Sequence, residues 1–141
     1  MWEKKVEELM TGMTLDDLCG QLINYNTVGE KWSLDEFEEI VKQTKPGAIF
    51  VSDTTKEKIK AYTDIVNKHT KVPVIVSADI ENGPGCAIHS EVIMPEPMAW
   101  GAADDEALIE QAGIATAEIS RKNGIHWTFS PVVDINFNPD N

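Results

Sequence analysis

Two spacings of apolar residues alternate along the chain: a helical spacing of three to four residues, and short unbroken apolar runs. A first helix is predicted after a capping box at residues 14–17, and its apolar residues share one side: Leu15, Leu18 and Leu22. Residues 21–25 fit either a short strand or a continuation of this helix to Ile23. So few residues do not distinguish the two by spacing.

Two clearer pairs of helix and strand follow. One helix begins at the capping box of Ser33 and Glu36, ends at Pro46-Gly47 and precedes the apolar run 48–51, which is typical of a strand covered on both faces. The next helix begins within residues 54–57 and precedes the apolar run 74–78. The residues predicted to face inward from these helices are Leu34, Phe37, Ile40, Val41, Ile59, Tyr62, Ile65 and Val66.

The last predicted pair follows a long segment rich in Gly and Pro, which stays irregular through Pro97. Asp104 is predicted to cap a long helix that ends in a left-handed turn at Asn123-Gly124, and a strand is predicted over residues 125–133. The apolar side of this helix is predicted at Leu108, Ala112, Ala115 and Ile119. The whole order predicts one α/β domain over residues 1–141, with a parallel sheet and helices on its faces.

Each of the three clear strands ends at an aspartate: Asp53, Asp79 and Asp134. The carboxyl ends of parallel strands meet at one edge of a sheet, where ligands bind, so these carboxylates are candidates for one polar site. For Asp53, a role in a helix cap or a turn is favoured, because Thr54 follows it at once. Asp79 instead precedes Glu81 and Gly83 in a loop where glycine allows a ligand to approach the backbone. Asp79 and Asp134 are each also compatible with a purely local role in a loop.

Composition limits the possible partners. The 141 residues are 42% hydrophobic and 26% charged, with 24 acidic against 12 basic side chains and a net charge of −12. This charge repels phosphate backbones and anionic lipids, so neither nucleic acid nor a membrane surface is an expected partner. The first ten residues lack the apolar stretch of a signal peptide, and the nearly apolar segment 72–78 is too short to span a bilayer, which predicts a cytoplasmic protein.

The remaining chemistry is sparse. Cys19 and Cys86 lie far apart with no C-x-x-C or Cys/His spacing, so two reduced thiols are expected and no metal site is predicted. The histidines have no partner at a diagnostic spacing and are expected on the surface or in packing: His69, His89 and His126. No phosphate-binding glycine loop is present, and no cofactor is predicted. The tryptophans, including Trp100 and Trp127, are expected in the core, with stacking on a sugar as the alternative.

Several segments together resemble the N-terminal barrel domain of glycoside hydrolase family 3, which contains β-glucosidases and β-N-acetylhexosaminidases. The resemblance is most specific in GIHWTFSPVVDIN, and the segments that carry it are 13–22, 46–49, 73–85, 94–102 and 124–136. The resemblance implies that Asp79 contacts sugar hydroxyls in the subsite where the bond is cut. The hexosaminidase branch has an arginine just after its D-x-E-G-G motif, whereas this chain has Asn82 and then Gly83-Pro84-Gly85, so the sugar is left open.

Length modifies this interpretation. A (β/α)8 barrel needs about 250 residues, so the fold expected here is a partial, roughly half TIM-type (β/α)8 barrel with parallel strands and outer helices. The family's nucleophile and acid/base residue come from later segments, and retaining enzymes need both. The resemblance therefore implies the N-terminal part of a retaining β-glycosidase acting on terminal β-linked glucose or N-acetylglucosamine. Its expected substrate-binding residues are Asp79, Glu81 and Asp134; no catalytic residue is expected, and the chain alone should be inactive.

Two other interpretations stay open: a non-catalytic sugar-binding module, and an α/β module that binds a metal at the same edge of the sheet. A half barrel exposes two sheet edges with unpaired backbone groups. Besides a β-linked glycoside, the expected partner is therefore the missing C-terminal half of the barrel or a second copy of the chain.

Overall fold

The computed structural model describes residues 2–28, 32–133 and 137–138. Its four strands form one parallel sheet in sequence order: β1 (Asn24–Asn26), β2 (Ala48–Phe50), β3 (Ile75–Ala78) and β4 (Trp127–Thr128). The helices within the described residues are α1 (Trp2–Thr11), α2 (Leu15–Gly20), α3 (Leu34–Thr44), α4 (Lys56–His69), α5 (Pro97–Ala103) and α6 (Glu106–Lys122), with a 3-10 turn at Pro84–Cys86. The predicted α/β class with parallel strands is confirmed.

The two faces of the sheet differ in how they are covered. In the strand register, Ile49 pairs with Val76, and both are fully buried in the core that α3 and α4 help to form. Side chains alternate along a strand, so the neighbouring positions lie on the other face. That face, called the open face here, carries the exposed side chains of Ile75 and Trp127. The core is therefore one-sided, between the sheet and its helices.

Helix α3 begins where the sequence predicts, because Ser33 and Glu36 form a capping box in which each side chain accepts a hydrogen bond from the other's backbone N–H. Its buried residues are Phe37 and Val41. The prediction that Leu34 is buried is wrong: it is 47% exposed beside a surface cavity at the first turn of the helix.

The ambiguity after α2 is resolved as a strand. Helix α2 ends at Gly20, whose carbonyl accepts from the Gly47 N–H at 2.9 Å, and a Cβ on Gly20 would lie 2.3 Å from the carbonyl oxygen of Lys45. This close approach of two backbones requires glycine. The predicted apolar side of the first helix is wrong, since Leu15 is exposed and Leu22 lies exposed beyond the helix end.

The region after residue 96 departs furthest from prediction. Helix α5 lies between the end of the segment predicted to be irregular and the cap predicted at Asp104, and it begins with Pro97, a residue favoured in the first turn of a helix. Asp104 ends α5 in the left-handed conformation, with φ of 50°, and Asp105 caps α6 by accepting the Leu108 N–H at 3.1 Å. The predicted cap was therefore one residue too early. Gly124, with φ of 85°, lies in the left-handed turn predicted at the end of α6.

The predicted strand over residues 125–133 is much shorter in the structure, because only β4 pairs with β3. Beyond β4, a side-chain contact replaces the backbone hydrogen bonds between the strands: the Ser130 hydroxyl accepts from the Ile80 N–H at 3.2 Å. Pro131 has no N–H with which to extend the pairing. The apolar side chains of Phe129, Val132 and Val133 are exposed, so the apolar pattern of this segment does not correspond to a buried strand.

Asp17 joins three parts of the fold. Its carboxylate accepts from Lys45 at 2.5 Å, Lys71 at 2.9 Å and the backbone N–H of Thr14 at 3.0 Å. Lys45, followed by Lys71 and Thr14, holds the pKa of Asp17 well below its ordinary value. This carboxylate fixes α2 against the end of α3 and the segment before β3.

Glu38 joins α3 to the end of α4. Its Oε1 accepts from Lys68 Nζ at 2.6 Å and lies 2.7 Å from His69 Nε2. Lys68 and then His69 lower the pKa of Glu38 from its ordinary value of 4.5 to about 2. Ionised Glu38 therefore stabilises the contact between the two helices.

An acid titration of a Glu38→Gln variant tests this contact. Because the pKa of Glu38 is lower in the folded chain, its contribution is complete above pH 4.5 and is lost as the pH falls toward 2. We expect the variant to have a lower Tm at pH 7 and a smaller fall in Tm between pH 4.5 and 2, measured by circular dichroism. Glu39→Gln, which alters an exposed partner of Lys42, should parallel the wild type; a parallel curve for Glu38→Gln would contradict the assignment.

Candidate functional site

Asp79 follows directly after β3, at the carboxyl edge of the sheet. It lies two residues after Ser77, so the alternation of side chains places it on the open face. Its side chain is exposed, and within residues 2–28, 32–133 and 137–138 its carboxylate makes no hydrogen bond or ion pair. A carboxylate with free acceptor positions at this edge is suited to receive hydroxyl donors from a ligand.

An aromatic group lies next to Asp79 on the open face. Phe129 follows β4 as Asp79 follows β3, and its N–H donates to the Ala78 carbonyl at 3.4 Å. The Phe129 ring lies 5.0 Å from the Trp127 ring and 6.1 Å from the Phe50 ring, measured between centroids. Phe129 and Trp127 are 50% and 48% exposed, so the prediction that Trp127 is a core residue is wrong. These three rings are called the aromatic patch.

Glu81 lies in a different environment from Asp79. It lines a cavity of about 430 Å³ together with Trp100 and residues of α6, whereas Asp79 does not line it. Ile80 and Thr128 also line the cavity, and Ile80 belongs to the buried core, so this cavity is on the helix-covered side of the sheet. The structure therefore separates Asp79 from Glu81 by the turn between them.

Asp134 lies outside the described residues, so its predicted place beside Asp79 stays a prediction. The roles of Asp79 and Glu81 in substrate binding likewise stay predictions.

Residues 14–141 match the model of the glycosyl hydrolase family 3 N-terminal domain. The chain belongs to glycosyl hydrolase family 3. Helix α1 precedes the matched residues. The family resemblance stated from the sequence is confirmed.

Two curated relatives carry the names of β-linked sugar enzymes. The chain is 26% identical over 92 residues to a β-N-acetylglucosaminidase/β-glucosidase of Cellulomonas fimi, which covers 65% of this chain and 16% of that protein. It is 24% identical over 136 residues to a periplasmic β-glucosidase of Salmonella typhimurium, covering 95% of this chain and 17% of that protein. The cytoplasmic location of this chain stays a prediction.

Solved family 3 structures share the fold. The β-glucoside phosphorylase BglX bound to 2FGlc superposes with a TM-score of 0.83 at 25% identity, over 98% of this chain and 25% of that one. A family 3 β-N-acetylglucosaminidase from Paenibacillus sp. str. FPU-7 gives 0.76 at 28% identity, over 92% and 26%. The chain thus spans about a sixth of its curated relatives and a quarter of these structures, and its sheet is part of the barrel domain of the family.

One side-chain contact at the carboxyl edge of the sheet could not be predicted from any motif or spacing in the sequence. Asp53 Oδ1 lies 2.6 Å from His89 Nε2, although the two residues are 36 positions apart. A parallel bridge between Thr54 and Ile88 returns the loop to the end of β2, and Thr55, rather than Asp53, caps α4. Asp53 itself occupies a turn with φ of 49°, consistent with the turn role predicted for it. Both side chains are exposed, so the pair adds little stability.

Residues 2–28, 32–133 and 137–138 contain no group of three His, Cys, Asp or Glu side chains arranged to hold a metal ion. None of the helices in those ranges has the length and apolar character needed to cross a membrane.

Proposed function

We propose that this chain supplies the sugar-binding edge of a retaining β-glycosidase domain acting on terminal β-linked glucose or N-acetylglucosamine. In this proposal Asp79 accepts hydrogen bonds from sugar hydroxyls, and the aromatic patch packs against the apolar face of the sugar ring. The observation that carries it is the exposed Asp79 carboxylate, with no partner among the described residues, beside the exposed rings of Trp127 and Phe129.

The chemistry of the open face supports this choice of ligand. Small-molecule sites combine apolar and aromatic surface with a few polar groups that fix orientation. A sugar presents hydroxyl donors around its rim and C–H groups on its faces, which complement a carboxylate and an aromatic ring respectively. The names of the relatives, which include β-glucosidase and β-N-acetylglucosaminidase, agree with a β-linked sugar.

We further propose that the residues that break the bond lie outside residues 1–141. Retaining glycosidases need two carboxyl groups about 5–5.5 Å apart, one as nucleophile and one as acid and then base. Asp79 is assigned to sugar binding, and Glu81 opens to a cavity on the other side of the sheet. The chain alone is therefore expected to bind a sugar without cleaving it.

The partner that completes the site is proposed to be the remainder of the barrel domain or a second copy of the chain. The accessible surface of 9654 Å² exceeds the roughly 7,200 Å² expected of a compact monomer of 15.6 kDa. Among the described residues no strand pairs with the outer edges of β1 and β4; these edges and the exposed side chains of the open face contribute to this excess, and a partner strand would satisfy the edges.

Hydrolysis assays test the catalytic part of the proposal. The purified chain is expected to release no aryl alcohol from aryl β-glucosides or aryl β-N-acetylglucosaminides, with or without added phosphate, since one structural relative is a phosphorylase. Addition of the carboxyl-terminal part of a family 3 barrel domain should restore release. Turnover by the 141-residue chain alone would contradict the proposal.

Titrations separate the proposal from the two other interpretations. Calorimetry with methyl β-glucoside and with N-acetylglucosamine should detect binding at millimolar concentrations. A chain that binds sugar, but releases no aryl alcohol even after the rest of the barrel domain is added, would be a sugar-binding module. Equilibrium dialysis with divalent ions tests the metal-binding module, which predicts retention of metal by the chain. No heat with either sugar would refute the proposed binding role.

A further inference from the structure

The loop after Asp79 is closed by side-chain contacts centred on Asn82. The Asn82 Nδ2 donates to Glu96 Oε1 at 2.8 Å, and its Oδ1 accepts from the thiol of Cys86. The backbone carbonyl of Asn82 also accepts from the Met94 N–H at 2.6 Å. These residues, Asn82, Cys86 and Glu96, are called the Asn82 network. Both ends of the Asn82 amide are engaged within the loop.

Glycine allows the two limbs of this loop, residues 80–86 and 91–96, to pack closely. The Gly85 N–H donates to the Val92 carbonyl at 2.8 Å, and a Cβ on Gly85 would lie 2.5 Å from Ile93 Cγ1 and 2.8 Å from the Glu91 carbonyl oxygen. A larger residue would therefore push the limbs apart. The two limbs behave as one packed unit.

Helix α6 holds the second limb from the other side. The Thr116 hydroxyl donates to Met94 Sδ at 3.3 Å, and the Asn123 side-chain amide donates to Glu91 Oε1 at 3.0 Å. The first limb is fixed to the sheet through Ile80, whose N–H donates to the Ser130 hydroxyl. Through Glu96, Asn82 thus joins the first limb, which directly follows Asp79, to the limb held by α6.

We propose that Asn82 is a positioning residue for Asp79, acting through Glu96 and Cys86 rather than by contact with the sugar; this inference rests on the proposed function. A site residue contributes most when neighbouring contacts already hold it in its binding geometry. Without the Asn82 network the turn after Asp79 has more conformations to lose when a sugar binds, and affinity falls. Asn82 uses one of its two N–H donors on Glu96 and its Oδ1 on Cys86, so both ends of its side chain hold the turn.

Conservative replacements distinguish a positioning role from a general loss of structure. In the full chain, Asn82→Ala and Glu96→Ala are each expected to weaken binding of methyl β-glucoside about tenfold, and the double variant little more than either alone. Glu96→Gln keeps the acceptor and Cys86→Ser keeps the donor, so both should bind within about twofold of the wild type. Glu118→Ala, an exposed change on α6, is the control and should bind normally.

Hydrogen exchange reports the loop independently of the sugar. The amides of Gly85 and Met94 should exchange faster in Asn82→Ala and Glu96→Ala, and at the wild-type rate in Glu96→Gln. Unchanged exchange in both alanine variants would overturn the network, and faster exchange with unchanged sugar affinity would overturn the positioning role. If the wild-type chain binds no sugar but the two alanine variants still show faster exchange, the proposed function is refuted. The Asn82 network then remains only as a contact within the loop.

Discussion

Replacing Phe37 with alanine is expected to lower the free energy of unfolding by about 3–5 kcal/mol. Phe37 is only 1% exposed, and its ring lies 4.7 Å from the ring of Tyr62 and 6.1 Å from that of Tyr25, between centroids. It therefore joins α3, α4 and β1 in the one-sided core. Removal of the ring leaves a cavity that these elements cannot fill without moving.

Urea unfolding followed by circular dichroism measures this effect. Leu34→Ala provides the control, because Leu34 lies on the same helix but is 47% exposed, and it should change stability by no more than about 0.5 kcal/mol. Phe37→Leu keeps most of the side-chain volume and should lower the free energy of unfolding by less than about 1.5 kcal/mol. Its effect can therefore be measured even if Phe37→Ala is unfolded in water. Equal costs for Phe37→Ala and Leu34→Ala would contradict the assignment of the core.

Replacing Asp79 with asparagine is expected to weaken sugar binding by roughly 10- to 100-fold, which corresponds to the 1.5–3 kcal/mol of hydrogen bonds to a charged group. The change keeps the shape of the side chain and removes its charge and one acceptor oxygen. Stability should stay within about 0.5 kcal/mol of the wild type, because the Asp79 carboxylate has no partner within the described residues. Calorimetric titration with methyl β-glucoside and thermal unfolding measure the two effects.

Asp64→Asn is the matched control for this substitution. This variant has the same Asp-to-Asn change on α4, in the helix layer, where the Asp64 carboxylate pairs with Lys60 at 2.5 Å. Sugar affinity should be unaffected by it. If Asp64→Asn weakened binding as much as Asp79→Asn did, the loss would reflect net charge rather than a contact made by Asp79.

Sequence reasoning succeeded where local chemistry decides the structure. The capping box of Ser33 and Glu36 fixes the start of α3, since the bonds join residues three positions apart. The apolar runs that became β2 and β3 were likewise recognisable, because both strands contribute to a core covered by helices. The end of β3 then placed Asp79 at the carboxyl edge of the sheet.

The predictions are wrong where contacts between residues distant along the chain decide the structure. Helix α5 was hidden by a proline-rich segment, and β4 was predicted too long because its apolar residues suggested a full strand. The pairing of Asp53 with His89 and the bond from Asn82 to Glu96 depend on how a long loop folds back. Spacing along the chain carries no information about such contacts. The exposure of Trp127 also depends on which face of the sheet the helices cover.

The most direct test of the sugar-binding edge is a nuclear magnetic resonance titration of the wild-type chain with methyl β-glucoside. The account predicts that the largest shift changes fall on Asp79 and on the aromatic patch, including the indole of Trp127 and the ring of Phe129. Shift changes confined to the residues that line the cavity beside Glu81 and Trp100, or no changes at all, would contradict it.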